Sequence, residues 1–422
     1  MPAATTSTTP ARRDLPLLLT GAAVSTAGTS ITLIAVALHV QPYGPKWVAG
    51  VMAAQVLPSI AVAPFAGDLV DRVANRRLLV AALLVEALAV CAAAWFGMGE
   101  HGVWPLLPAM AALGAAGTVA GTTVAALLPR ISGEDGATRA YGWYASITQA
   151  GFLGGFAVSG VLVELVGTRR ALLVDAASFG LMAIAGARVR ADRHPRREAA
   201  EGAQASPGEE TGGGRAGLMI GFTRLRDDRL LRVAVGGLGV AVLASIVVNV
   251  AEVFFVTQDL RAGPATYGLV TACWPLAGIA GGWAAGRLTG ERALTNALAV
   301  GAVGMGLGLL LAGAVVSLVT LVIGWLVGGA ANAVQRVAIT ALVRVRTPDA
   351  ARGRVFAAVA ASLQTFNVVG LLVSGVVVAA VGARASMVGA GLVTVAVGVG
   401  TWLLTRSASQ RTAGGAPSGS VA

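Results

Sequence analysis

Twelve runs of about twenty apolar residues dominate this chain and leave it little choice of fold. Their cores lie at 15–38, 47–66, 78–97, 104–128, 141–165, 171–187, 233–256, 266–286, 293–313, 315–335, 355–381 and 385–405. About 20 apolar residues in helical form cross the hydrocarbon core of a bilayer. Backbone polar groups in lipid must be satisfied within their own segment, so each run is predicted as a transmembrane helix. Composition agrees: the 422 residues are 56% hydrophobic and only 12% charged, against about 25% charged in soluble domains. The 57 glycines would weaken helices in water, whereas in membranes small residues let helices approach closely. The predicted class is an all-α integral membrane fold.

Charge sets the expected orientation. With the N-terminus in the cytoplasm, 26 of the 31 Lys and Arg residues fall on the inner side; Lys46, Arg169, Arg170, Arg261 and Arg384 fall outside. The positive-inside rule then places both termini in the cytoplasm. Arg-rich, Lys-poor and Ala- and Gly-heavy usage points to a bacterial chain, hence to the plasma (inner) membrane. The net charge of +11 reflects this topology, and no separate basic domain marks a nucleic-acid partner. "ARRDLPLLLTGAAVSTA" imitates a twin-arginine signal peptide. Its apolar run is longer than a typical signal core and eleven more follow, so it reads as an uncleaved first helix. Cys91 and Cys273 lie in different spans and give no disulfide or metal signal.

Three parts follow: a six-helix bundle (1–187), a polar linker (188–230) and a second six-helix bundle with a short tail (231–422). The linker is rich in Pro, Gly, Glu and Arg, the composition of a flexible segment. Its end, "LMIGFTRLRDDRLLRV", carries Met219, Phe222, Leu225, Leu230 and Leu231 at roughly helical spacing. That pattern fits an interfacial amphipathic helix or an extension of the seventh span.

The two bundles repeat at an offset of 215 residues. "QAGFLGGFAVSGVLVELVGTR" (149–169) and "QTFNVVGLLVSGVVVAAVGAR" (364–384) share ten identities in 21 positions, among them Gln149/Gln364, Gly155/Gly370, Ser159/Ser374, Gly160/Gly375, Gly167/Gly382 and Arg169/Arg384. The glycines are candidate helix-packing positions. An even number of spans separates the copies, so the repeats are parallel, a transporter architecture. The same offset carries "GDLVDRVANRR" (67–77) to "GWAAGRLTGER" (282–292). Gly67 maps to Gly282 and Arg72 to Arg287, whereas Asp71 maps to Gly286, leaving the second copy degenerate.

Gly67, Asp71, Arg72, Arg76 and Arg77 resemble the signature loop between the second and third spans of the major facilitator superfamily. Ala74 and Asn75 depart from that pattern. "QVLPSIAVAPFAGDLVDR", "LLPRISGEDGATRAYGW" and "TPDAARGRVFA" are similar to its macrolide-efflux and siderophore-exporter branch. The resemblance covers about 15–405 and implies the major facilitator fold, twelve helices in two parallel six-helix repeats. It also implies that the loop is a cytoplasmic gate. Asp71 would sit near the start of the eleventh span, around Arg354 to Ala358, where a helix N-terminus favours an acid by roughly 0.3–1 kcal/mol. The arginines would pair with acids or lipid phosphates. Efflux members often carry Gly-Pro, two residues, Gly-Gly in the fifth span; here the stretch runs from Gly155 to Gly160 with Phe156 in place of proline. The fourth span also lacks the arginine of many drug:proton antiporters.

Ionisable side chains inside a span are costly and point by default to function. Glu252, in "SIVVNVAEVFFV", and Glu86, in "LLVEALAV", are the candidate proton-coupling acids. Glu164 and Asp175 sit close to span ends and read as structural. Candidate cavity-lining residues are Thr26, Ser30, Gln149, Asn249 (three residues from Glu252 on one face), Asn332, Arg336 and Gln364. Ser and Thr also serve as interhelical glue. No catalytic constellation is present. "GMGEHG" lacks the preceding strand of a dinucleotide site, the sole lysine is Lys46, and the three histidines are scattered. The expectation is a monomeric transporter, without enzyme activity or cofactor, that exports a small amphipathic molecule in exchange for protons. The alternatives are an importer or uniporter of the same fold, or a membrane sensor.

Overall fold

The computed structural model describes residues 11–99, 102–189 and 215–413. Most of the polar linker thus lies outside the described residues. Thirteen α-helices follow in order, with no strand among the described residues: α1 Ala11–Val40, α2 Pro45–Arg72, α3 Asn75–Ala92, α4 Leu106–Ser132, α5 Glu134–Val166, α6 Thr168–Arg188, α7 Arg215–Asp227, α8 Arg229–Phe254, α9 Pro264–Ala285, α10 Glu291–Ala314, α11 Leu318–Arg346, α12 Asp349–Val381 and α13 Ala383–Ala413. One π-helical turn, Ala93–Gly97, extends α3 and another, Phe255–Asp259, extends α8. All but α7 contain a stretch long and apolar enough to cross a membrane, twelve in total. Large side chains such as Phe65, Leu88, Leu165 and Val300 are more than 60% exposed, the surface that lipid covers. This is an all-α, multi-pass membrane protein.

Two compact units divide the chain: Met1–Gly208 with Ala262–Ala272, and Glu209–Arg261 with Cys273–Ala422. In the first, α1 packs on α5 and α6, α3 on α4 and α6, and α2 on α4. The first turns of α9 belong to this unit. A Cβ on Gly160 would stand 2.0 Å from the Pro264 carbonyl, so the α5 backbone and these turns meet without side chains between them. In the second unit, α8 packs on α12 and α13, and α10 on α11 and α13.

Repeat identities become repeated contacts. Gly167 (φ 80°) and Gly382 (φ 83°) each separate the fifth and sixth helices of a bundle. Their N–H groups donate to Val163 and Val378 at 2.9 and 3.0 Å. The left-handed φ is readily available only to glycine. Two residues later, Arg169 donates to the carbonyls of Ala94 and Trp95 at 3.0 and 3.3 Å, and Arg384 to those of Gly313 and Ala314 at 3.1 and 2.6 Å. Each guanidinium thus covers orphan carbonyls where the third helix of its bundle ends, a site that also favours positive charge. Two of the five arginines and lysines that break the charge asymmetry therefore have a local structural reason.

The stretch before the seventh span is a separate helix, and one residue decides it. Asp228 leaves helical geometry (φ −82°, ψ 104°) and its side chain accepts from the N–H groups of Leu230 and Leu231, the N-cap arrangement that starts a new helix. In α7, Leu225 joins the core of the second unit, Gly221 lies against the Arg354 carbonyl of α12, and Met219, Ile220 and Phe222 are exposed.

Candidate functional site

The sequence-selected loop is a tight hinge between α2 and α3. Helix α2 runs through Gly67 and Asp71 to Arg72, and α3 begins at Asn75. Asp71, Arg72, Arg76 and Arg77 are all exposed, and Arg72 pairs weakly with Asp68 at 3.6 Å. Asn75, a departure from the family pattern, is fully enclosed. With its amide oriented to donate, it reaches the Val70 and Val73 carbonyls at 2.8 and 3.2 Å. It therefore ties off the end of α2 from within, and leaves the charged side chains to face outward.

The second hinge keeps the glycine and the arginine of the first. Gly282 keeps open space where a Cβ would stand, and Arg287 stacks over Trp283 at 3.3 Å from the ring centroid. Nothing replaces Asp71 at Gly286, but Glu291 supplies an acid five residues on, at the first turn of α10. It bonds Arg346 at 2.7 Å, and Arg346 also bonds Asp228 at 2.6 Å. One guanidinium at the end of α11 thereby links the starts of α8 and α10.

The repeated glycines bring the first and fifth helices of each bundle together. A Cβ on Gly155 would lie 2.5 Å from the Ala27 carbonyl of α1, and one on Gly370 3.0 Å from the Leu243 carbonyl of α8. Gly375 is buried in α12. Ser159 donates to the Phe156 carbonyl at 2.8 Å, and Ser374 to Leu371 at 2.7 Å. This repeat-related back-bonding, which often bends helices, occurs at the position where proline is absent.

Buried acids lie in both bundles. Glu252 is 5% exposed and accepts from Trp325 Nε1 of α11 at 3.0 Å. Trp325 meets Trp274 of α9 edge-on, centroids 6.0 Å apart. Gly328 and Gly329 make room for the Trp274 ring and backbone. Asn249 does not share this environment: it is exposed, although three residues leave it only about 60° from Glu252 around the helix. In the first bundle Glu86 is 6% exposed and Asp175 fully enclosed. Asp175 accepts from Thr32 of α1 at 2.5 Å and from Ser178 at 3.0 Å. It lies two turns inside α6, not at a helix end.

The remaining polar candidates separate by exposure. Ser30 is fully enclosed and donates to the Thr26 and Phe152 carbonyls at 3.2 and 3.5 Å, so it joins α1 to α5 instead of lining an opening. Thr26 is half-buried and bonds the Ala22 carbonyl. Gln149 is exposed and its repeat mate Gln364 half-buried. Asn332 is half-buried with its amide 3.9 Å from the Met305 sulfur of α10. Arg336 is exposed and stands about 15 Å from the end of α11 at Arg346. Thr32, Trp325 and Glu291 carry no signal in the sequence, whereas Asp175, an acid inside an apolar run, reads there as structural and Asn75 only as a departure from the family pattern.

Comparison with known proteins fits this architecture. The family model of the Major Facilitator Superfamily matches residues 17–254 and 233–419. No curated protein sequence matches. Among solved structures, a point mutant of the nucleoside transporter NupG aligns with TM-score 0.77 at 11% identity, over 93% of this chain and 100% of that one. A bacterial homolog to the human lysosomal transporter Spinster, inward-facing and unoccupied, gives 0.72 at 11%, over 95% and 98%. The POT family transporter PepTSo gives 0.69 at 11%, over 94% and 98%. At such identities the likeness is one of fold. With its twelve spans, its parallel repeats and a family match across nearly its whole length, the chain belongs to the major facilitator superfamily.

Proposed function

We propose that this protein is a secondary active transporter that exports a small amphipathic molecule by alternating access, in exchange for protons. It would work as a monomer in a bacterial plasma membrane with both termini cytoplasmic. The observation that carries the reading is Glu252, an acid kept in the packed interior of a transmembrane helix and engaged by Trp325 Nε1 at 3.0 Å. Such a group is expensive to hold in a membrane and is the chemistry that binds and releases a proton there. Gly67, Asp71, Arg72, Arg76 and Arg77 would act as the cytoplasmic gate, as the family signature implies. Export is favoured by the stretches similar to the macrolide-efflux and siderophore-exporter branch.

Accumulation of a panel of lipophilic drugs and dyes in pump-deficient bacterial cells tests the reading. Cells would carry the wild type, Asp71→Asn or Glu252→Gln, with and without a protonophore. Lower accumulation that the protonophore abolishes, and that Glu252→Gln abolishes as well, is expected. Higher accumulation would turn the direction to import. No change for any compound would overturn drug export.

A further inference from the structure

We propose that the α7 end of the second bundle carries a headgroup site for a zwitterionic phospholipid of the adjoining leaflet, one whose head joins a phosphate to a primary ammonium. Where α7 breaks into α8 the structure holds a cavity of about 460 Å3, within the size range of small-ligand sites. Arg224 and Asp227 line it from the last turn of α7, Arg229 from the first turn of α8, Glu291 from α10 and Arg346 from α11. All belong to the second unit.

Charge decides what fits. Arg346 is already held, by Asp228 at 2.6 Å and by Glu291 Oε1 at 2.7 Å. Asp228 has both oxygens engaged, since the other one caps α8. Arg224, Arg229 and Asp227 are exposed, and among the described residues none of the three forms an ion pair. Glu291 keeps a second oxygen on a side chain 44% exposed. Three arginines thus face three acids, and the lining is neutral as a whole. A phosphate suits the two unpaired guanidiniums, whose planar forks match its oxygens. A purely anionic head would leave Asp227 and the second Glu291 oxygen turned towards like charge. A head that also carries an ammonium answers both signs, donating N–H to those carboxylates.

The surroundings favour a lipid over a solute. Buried Leu231 and Val355 give the cavity an apolar side, where a glycerol backbone can lie. Helix α7 supplies the rest. A Cβ on Gly221 would stand 2.1 Å from the Arg354 carbonyl and 3.1 Å from Ala358 Cβ, so α7 presses on α12 there. At that level α12 passes from charged residues (Asp349, Arg352, Arg354) to an apolar run. Met219, Ile220 and Phe222, beside Gly221, are exposed. A helix with bare apolar residues at such a border lies in the membrane interface. Acyl chains would cover its earlier turns, and the charged last turn would meet the headgroup.

Native mass spectrometry of the purified full-length protein tests the site. It would be titrated with phosphatidylethanolamine, phosphatidylglycerol and phosphatidylcholine of matched chains, and with glycerophosphoethanolamine, which has the head but no chains. Phosphatidylethanolamine should bind tightest. Phosphatidylcholine, whose quaternary ammonium donates no N–H, should bind more weakly, and the chainless head weakest. Replacing Arg224 and Arg229 together by Gln should lower the affinity for phosphatidylethanolamine at least about tenfold. Asp227→Asn should erase its preference over phosphatidylglycerol. Arg170→Gln, an exposed arginine of the first bundle, should change nothing. Both α7–α8 arginines are exposed and unpaired, so the double variant should melt with the wild type. The lipid series on the wild type decides the headgroup class without any variant, and no readout needs a transported substrate. Equal binding of the three lipids, or undiminished binding in the double variant, would overturn the proposal. Equal binding of the chainless head would overturn the lipid and leave a solute site.

Discussion

Replacing Gly155 and Gly370 by alanine, one at a time, sets two repeat-related sites against each other. The added Cβ of Gly155→Ala would meet the Ala27 carbonyl oxygen at 2.5 Å, Ala27 Cα at 2.7 Å and Ser30 Cβ at 2.8 Å. Two of these atoms are backbone and cannot swing aside. To restore ordinary contact near 3.5 Å, α1 and α5 must part by roughly 1 Å. In Gly370→Ala the nearest atoms, from Leu243 and Ile246, lie at 3.0, 3.1 and 3.2 Å, and a few tenths of an ångström suffice. The reason is visible in the partners: α1 offers Ala27 and Ser30, whereas α8 offers the bulkier Leu243 and Ile246 and already stands further off. Overpacking costs about 1–3 kcal/mol, and the alanine gain in helix propensity, at most about 1 kcal/mol, is common to both sites. Gly155→Ala should therefore be less stable than Gly370→Ala by about 1–2 kcal/mol. For a chain of 422 residues this is a shift of a few degrees at most. Thermal unfolding followed by tryptophan fluorescence in one detergent would measure it. If Gly370→Ala melted at or below Gly155→Ala, the close approach would not be what these glycines provide.

Two further outcomes are expected. Trp325→Phe keeps the ring near Trp274 but removes the donor to Glu252, and should cost roughly 1.5–3 kcal/mol if the carboxyl is charged and about 1 kcal/mol if it is neutral; a double-mutant cycle with Glu252→Gln, read by unfolding, separates the two. Asp228→Ala loses both the helix cap and the half-exposed ion pair to Arg346, together about 1–2 kcal/mol. Asp228→Asn keeps the cap and should lose less than about 1 kcal/mol, a loss that shrinks in high salt. Equal losses for the two variants would show that the cap contributes nothing.

The sequence alone determined the twelve spans and their pairing into repeats. A helix in lipid satisfies its own backbone hydrogen bonds, so its existence and rough length are written locally, and a duplicated segment carries its identities with it. Boundaries are less legible: the apolar core of the tenth span stops at 335 and α11 runs on to Arg346, because its last turns are charged and reach Asp228 and Glu291. The site was the least legible. Asp175 finds Thr32 across 143 residues and Glu252 finds Trp325 across 73, while Asn249, three residues from Glu252, points elsewhere. In a soluble helix the apolar stripe announces which face is buried. In a membrane helix lipid and protein interior are equally apolar, and packing follows small residues and polar contacts between helices. Rotation about each helix axis is therefore absent from the periodicity of the sequence. Only the packed tertiary structure decided which acid met a hydroxyl, which met a tryptophan and which faced outward.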